Sequence, residues 1–103
     1  MAIILAGAGG ARAADMNWDG AWSGKLGSQN PWPVTVVIAH GKVVRFTERG
    51  VAFDVSFSKV KPNAVVFGDK FNYQVKLKRT GADAAAGELH GRLGAGPAQL
   101  TRS

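Results

Sequence analysis

Phe71-Asn72-Tyr73-Gln74-Val75-Lys76-Leu77-Lys78 alternates along its whole length, with Phe71, Tyr73, Val75 and Leu77 at one parity and Asn72, Gln74, Lys76 and Lys78 at the other. A period of two puts successive side chains on opposite faces of an extended strand, whereas a helix would scatter these apolar residues around its axis. The stretch reads as an amphipathic strand with one buried and one solvated face.

The same pattern recurs on both sides of it. Val34, Val36 and Ile38 alternate with Thr35, Val37 and Ala39; Val44 and Phe46 oppose Val43, Arg45 and Thr47; Phe53, Val55 and Phe57 oppose Asp54, Ser56 and Ser58; Leu89 and Leu93 oppose His90 and Arg92. Turn-forming residues separate the runs at Asn30-Pro31, His40-Gly41, Arg49-Gly50, Lys61-Pro62-Asn63, Gly68-Asp69, Thr80-Gly81 and Gly94-Ala95-Gly96-Pro97. The pattern predicts strands near 21–27, 34–39, 42–49, 51–58, 64–67, 71–79, 84–92 and 98–102. The Ala-rich stretch 81–87 has glycine at both ends, too short a span for a stable helix, and reads as a hairpin. Connections this short require antiparallel neighbours. The expected fold is all-β: an up-and-down meander of about eight strands closing into a small barrel.

The N-terminal residues carry a different signal. Ile3-Ile4-Leu5 runs through Ala and Gly into Ala11-Arg12-Ala13, a small-x-small pattern of the kind leader peptidase cleaves. Residues 1–13 are expected to be the remnant of an export signal, with one domain over 14–103 and a periplasmic or secreted bacterial location. The Gly7-Ala8-Gly9-Gly10 stretch does not make a dinucleotide loop, because Arg12 stands where the third glycine must fall and no amphipathic helix follows. The apolar run is also far shorter than the roughly 20 residues of a spanning helix, so no transmembrane segment is expected.

The chain has 103 residues and no cysteine, which removes disulfides and thiolate metal sites and leaves stability to packing. Its net charge of +6 favours anionic partners. Nucleic acid is not expected among them, since no consecutive basic run or nucleic-acid motif occurs.

Gly20-Ala21-Trp22 resembles the G-x-W element that opens the first strand of calycins, the superfamily of lipocalins, avidins and small bacterial protease inhibitors. Arg102, in Leu100-Thr101-Arg102, resembles the basic residue that their last strand lays across that tryptophan. The resemblance implies a barrel-closing pair, Trp22 with Arg102, and binding of a small hydrophobe or inhibition of an enzyme through loops. A guanidinium over an indole face contributes about 0.5 to 2 kcal/mol.

Trp22, Leu26, Val36, Ile38, Val44, Phe46, Phe53, Val55, Phe57, Val65, Phe67, Phe71, Tyr73, Val75, Leu77, Leu89 and Leu93 are assigned to the interior. An interior so full leaves little free volume and moves binding to a shallow site at one mouth. Trp18, Trp32 and Tyr73 are the candidate ligand or partner residues, with Trp32 a stiff knob between Pro31 and Pro33. As a simpler reading, such an aromatic plugs a barrel end.

Arg45, Arg49, Lys76, Lys78 and Arg92 point outward by alternation and form a candidate basic patch for anionic envelope polysaccharide, or else a solvated wall whose lysines blunt strand edges. His40, His90 and Glu88 do not make a metal site, lacking a third converging ligand. The carboxylates are scattered singly and no Ser or Thr sits in a nucleophile elbow, so neither catalytic residue nor cofactor is expected. The expected function is non-enzymatic: an exported binding module for a small apolar ligand or a protein partner, with a protein-directed inhibitor using the Trp32 loop as the alternative.

Overall fold

Alternation becomes nine antiparallel strands in the computed structural model, which describes residues 17–70, 72–92 and 94–103. They are β1 (Gly20–Leu26), β2 (Trp32–Ala39), β3 (Lys42–Glu48), β4 (Val51–Phe53), β5 (Phe57–Lys61), β6 (Ala64–Asp69), β7 (Tyr73–Gly81), β8 (Ala84–Gly91) and β9 (Gly94–Arg102). The export segment, Phe71 and Leu93 lie outside the described residues. Among those described, no helix is long and apolar enough to cross a membrane.

All nine strands join one curled sheet in the order β4-β3-β2-β1-β9-β8-β7-β6-β5. Every neighbouring pair is a hairpin except β1 with β9, where the first and last strands meet and Trp22 falls opposite Arg102. The meander therefore curls as the pattern predicts, into a half-barrel whose two edge strands, β4 and β5, do not pair with each other. Its turns fit the twist: His40-Gly41 and Arg49-Gly50 both have positive φ at the two central residues, the geometry of tight hairpins.

The two strands at the ends of the sheet, β4 and β5, are consecutive in the chain, and this corrects the expected single strand over 51–58. β4 pairs β3, whereas β5 pairs β6. The switch of partner coincides with a bulge in β3. In the β2–β3 ladder Val37 opposes Arg45 and Ile38 opposes Val43, so Val44 is an extra, bulged residue. A bulge disrupts pairing on its strand, and the β3–β4 ladder ends at Phe46 with Phe53, just short of Val44. The next residues turn to the other side, where Ser56 N–H donates to Gly68 O at 2.8 Å and Ser56 Oγ accepts from Lys70 N–H at 2.9 Å. Val43 N–H donates to Ser58 Oγ at 3.3 Å, joining β3 to β5 across the seam.

The bulge also changes which side chains are inside. Val43 and Phe46 are buried, while Val44, assigned to the interior, is 58% exposed. Phe53 and Phe57 are likewise exposed, because each lies on a short strand beside the split. The core that remains includes Trp22, Leu26, Val36, Ile38, Phe46, Val65, Phe67, Val75 and Leu77. At the far C-terminal side, Gly94-Ala95-Gly96-Pro97 belongs to β9 and is not a turn, since β8 pairs with it from Glu88 to Gly91.

Candidate functional site at the open mouth

Each hairpin reverses the chain, so alternate connections gather at opposite ends of the barrel. One end is sealed. Trp18 and Trp22 lie 5.0 Å apart, and Trp22 Nε1 donates to Trp18 O at 2.7 Å. Trp18 Nε1 donates to Lys61 O at 2.9 Å, tying the plug to the β5–β6 turn. The Arg79 guanidinium sits 4.9 Å from the Trp18 ring and 5.4 Å from Trp22. Arg102 lies 5.0 Å over Trp22 and donates to Asp83 Oδ1 at 2.8 Å, Asn17 O at 2.6 Å and Ala82 O at 2.9 Å. Trp18, a candidate binding residue in the sequence, is 2% exposed. It packs against Trp22 and Arg79 and gives its N–H to Lys61 O, as a plug of this end.

The other end is open. A cavity of about 1000 Å³ enters there, lined by Leu26 and Leu89 below and by Trp32, Phe53, Tyr73, Glu48, Arg49 and Arg92 around the rim. It is larger than the shallow site expected from a filled interior. Two of the residues assigned to that filling, Phe53 and Phe57, stand partly outside, and the β4–β5 split widens the wall here.

Trp32 opens β2 and forms one side of the mouth. Its Nε1–H donates to Glu48 Oε1 at 2.7 Å, and the Arg49 guanidinium lies 4.9 Å from its ring. Gly27 passes so close that a Cβ there would meet the Trp32 ring at 2.9 Å. The indole is thus held from three directions, with little freedom left to lose on binding.

Tyr73 faces it from β7. Its ring stacks on Phe46 at 5.3 Å and meets Phe53 edge-on at 6.1 Å, and Phe67 completes the cluster 5.2 Å from Phe46. The Tyr73 hydroxyl donates to Asp54 O at 2.7 Å. Burial, and then the carboxylates of Asp69, Glu48 and Asp54, hold this hydroxyl far above the ordinary phenol range, so it remains a neutral donor. Asp69 itself accepts from Asn72 Nδ2 at 2.6 Å. The mouth therefore combines fixed aromatic walls with charged groups of both signs, an arrangement suited to holding an apolar body and orienting its polar end.

The structure brings Trp32 and Tyr73 to one site and separates both from Trp18. It divides the candidate basic patch. Arg49 and Arg92 line the mouth, whereas Arg45 on β3 and Lys76 and Lys78 on β7 are separated in the sheet by β2, β1, β9 and β8. These five residues do not converge on one wall. Glu48 and Phe53 join the site without having been singled out for it. The usable signal was positional: in a meander the Arg49-Gly50 turn and the loop before Trp32 must share an end.

His90 Nε2 lies 3.2 Å from Glu88 Oε1, with both side chains largely exposed. Among the described residues no group of three or more His, Cys, Asp or Glu could hold a metal ion. Compared with known protein families, curated proteins and solved structures, the chain matches none.

Proposed function

We propose that this protein is a non-enzymatic binding module whose open mouth receives a small ligand with an apolar or aromatic body. The observation that carries this is the asymmetry of the two ends: one is sealed by Trp18, Trp22, Arg79 and Arg102, and the other presents Trp32, Phe53 and Tyr73 around a cavity of about 1000 Å³. Pockets of about 300 to 1,000 Å³ lined by aromatics and a few placed polar groups are the usual form of small-molecule sites. The calycin-like placement of Trp22 beneath Arg102 supports the same reading, as does the leader-like segment 1–13, which supports a periplasmic or secreted location.

A protein partner is the second reading, favoured by Val51 and Phe53, which are 60% and 41% exposed on the same rim. The two are separated by a screen of intrinsic tryptophan fluorescence against fatty acids, haem and small aromatics, run on wild type and Trp32→Ala. The small-ligand reading expects at least one class to change the emission of wild type, with affinity at least about tenfold weaker in Trp32→Ala, the loss of one aromatic wall. No response from any class, or equal binding by both proteins, would overturn it.

A further inference from the structure

Lys59 and Lys61 share a wall with Lys76 and Lys78. Register places them in rows across the outer face of β5, β6 and β7: Lys59 opposite Val66 opposite Lys76, then Lys61 opposite Ala64 opposite Lys78. All four lysines are exposed, and the residues between them are small or apolar. Strands about 4.8 Å apart, with same-face residues about 6.8 Å apart along each, set the four lysines at the corners of a rectangle of roughly 10 by 7 Å. Like charges this close repel, and among the described residues no ion pair engages any of the four. Glu88, opposite Lys76 on β8, borders the wall, and its ion pair is with His90.

The next row toward the mouth is of another kind. Phe57 opposes Gly68, which opposes Gln74, which opposes His90. Gly68 carries no side chain, and a shallow depression of about 370 Å³ opens beside it, lined by Phe57, Lys70, Asn72, Gln74, His90 and Arg92. One exposed aromatic ring, two side-chain amides and an imidazole surround the depression, and cations lie at both ends of the strip.

We infer that this outer wall binds an acidic polysaccharide chain laid along β7, with a sugar ring against Phe57 and carboxylate or sulfate groups on Lys59, Lys61, Lys76 and Lys78. The amides and the imidazole suit sugar hydroxyls, and the regularly spaced lysines suit a polymer whose charges recur. A single-stranded nucleic acid would call for several exposed aromatic platforms in succession, and among the described residues Phe57 is the exposed ring on this strip. A lipid surface would call for a cluster of apolar side chains to insert, which this wall lacks. The depression adjoins the mouth, sharing Asn72, Tyr73 and Arg92 in its lining, but neither Phe57 nor any of the four lysines lines the mouth, so the two bindings are separable by substitution.

Titration with a heparin-derived oligosaccharide tests the inference, with an oligothymidylate and phosphatidylserine vesicles run in parallel at the same salt. Two triple variants are compared: Lys59→Gln, Lys76→Gln, Lys78→Gln on the wall, and Lys25→Gln, Lys42→Gln, Arg45→Gln away from it. Both remove the same net charge. The wall variant is expected to bind about tenfold more weakly and the other within about twofold of wild type, as loss of three exposed charge contacts implies. Phe57→Ala, at unchanged charge, should also weaken the oligosaccharide, by about fivefold, with circular dichroism confirming that each variant folds. Equal weakening by the two triples would show that net charge alone binds the polymer, and tighter binding to oligothymidylate or vesicles than to the oligosaccharide would assign the wall to another partner. Either result overturns the inference.

Discussion

Arg102 covers Trp22 across the seam between the last strand and the first, as register partners with the guanidinium carbon 5.0 Å from the ring centroid. The indole beneath is fully buried and donates its N–H to Trp18 O. Truncation to Trp22→Ala removes a core side chain and leaves a cavity, so it should cost about 3 to 5 kcal/mol in denaturant unfolding. A loss below about 1 kcal/mol would remove Trp22 from this role.

Arg102 does more than stack, because its donors reach Asn17 O, Asp19 O, Ala82 O and Asp83. Arg102→Ala should therefore cost about 1 to 2 kcal/mol, the stacking together with several hydrogen bonds at a partly exposed site. Asp83→Ala, which removes one largely exposed carboxylate from the same pair, should cost under about 1 kcal/mol. Equal effects of the two substitutions in chemical denaturation would mean that the ion pair, and not the plug, stabilises this end.

The chain has one tyrosine, so its ionisation can be followed by absorbance without ambiguity. Tyr73 is held neutral first by burial and then by Asp69, Glu48 and Asp54. A free phenol ionises near pH 10, and the folded protein should show no phenolate there. Because the folded pKa lies above the unfolded one, this contribution to stability is complete below about pH 10 and is lost as pH rises through the folded pKa. Phenolate absorbance appearing near pH 10 without unfolding would contradict the buried placement.

Gly27 has φ of 110°, and a Cβ there would meet the Trp32 ring at 2.9 Å. Gly27→Ala should cost about 1 to 3 kcal/mol from backbone strain and crowding. It should also shift the Trp32 indole N–H resonance by disturbing its bond to Glu48, while the Trp18 and Trp22 resonances stay in place. An unmoved Trp32 resonance would show that the ring is not held where the structure puts it.

Much of this architecture was legible as alternation. The run 73–78 lies in β7 with Val75 and Leu77 inside and Lys76 and Lys78 outside, and the turns at His40-Gly41 and Arg49-Gly50 fall where their residues place them. Parity failed where the ladder carries an extra residue. Val44 and Val43 are both β-branched, so nothing local marks Val44 as the bulged one, and a one-residue slip exchanges inside for outside. The division of 51–58 between two partners coincides with that bulge and is equally unmarked in the local sequence. Trp18 misled for another reason: it precedes the first strand, and only its packing on Trp22 and its bond to Lys61 O make it a plug. Lys59 and Lys61 cannot be placed beside Lys76 and Lys78 from the sequence, because shared walls depend on strand order, which spacing along the chain does not show.

The proposed entry of ligands at the Trp32 end is tested directly by the three indole N–H resonances. Trp18 and Trp22 sit in the sealed end, and Trp32 stands at the mouth bonded to Glu48. A nitrogen-correlated proton spectrum recorded while a ligand found in the fluorescence screen is titrated should show the Trp32 indole peak moving to saturation, with the Trp18 and Trp22 peaks still. Movement of the Trp18 or Trp22 peaks with Trp32 unchanged would contradict the assignment of the mouth as the binding site.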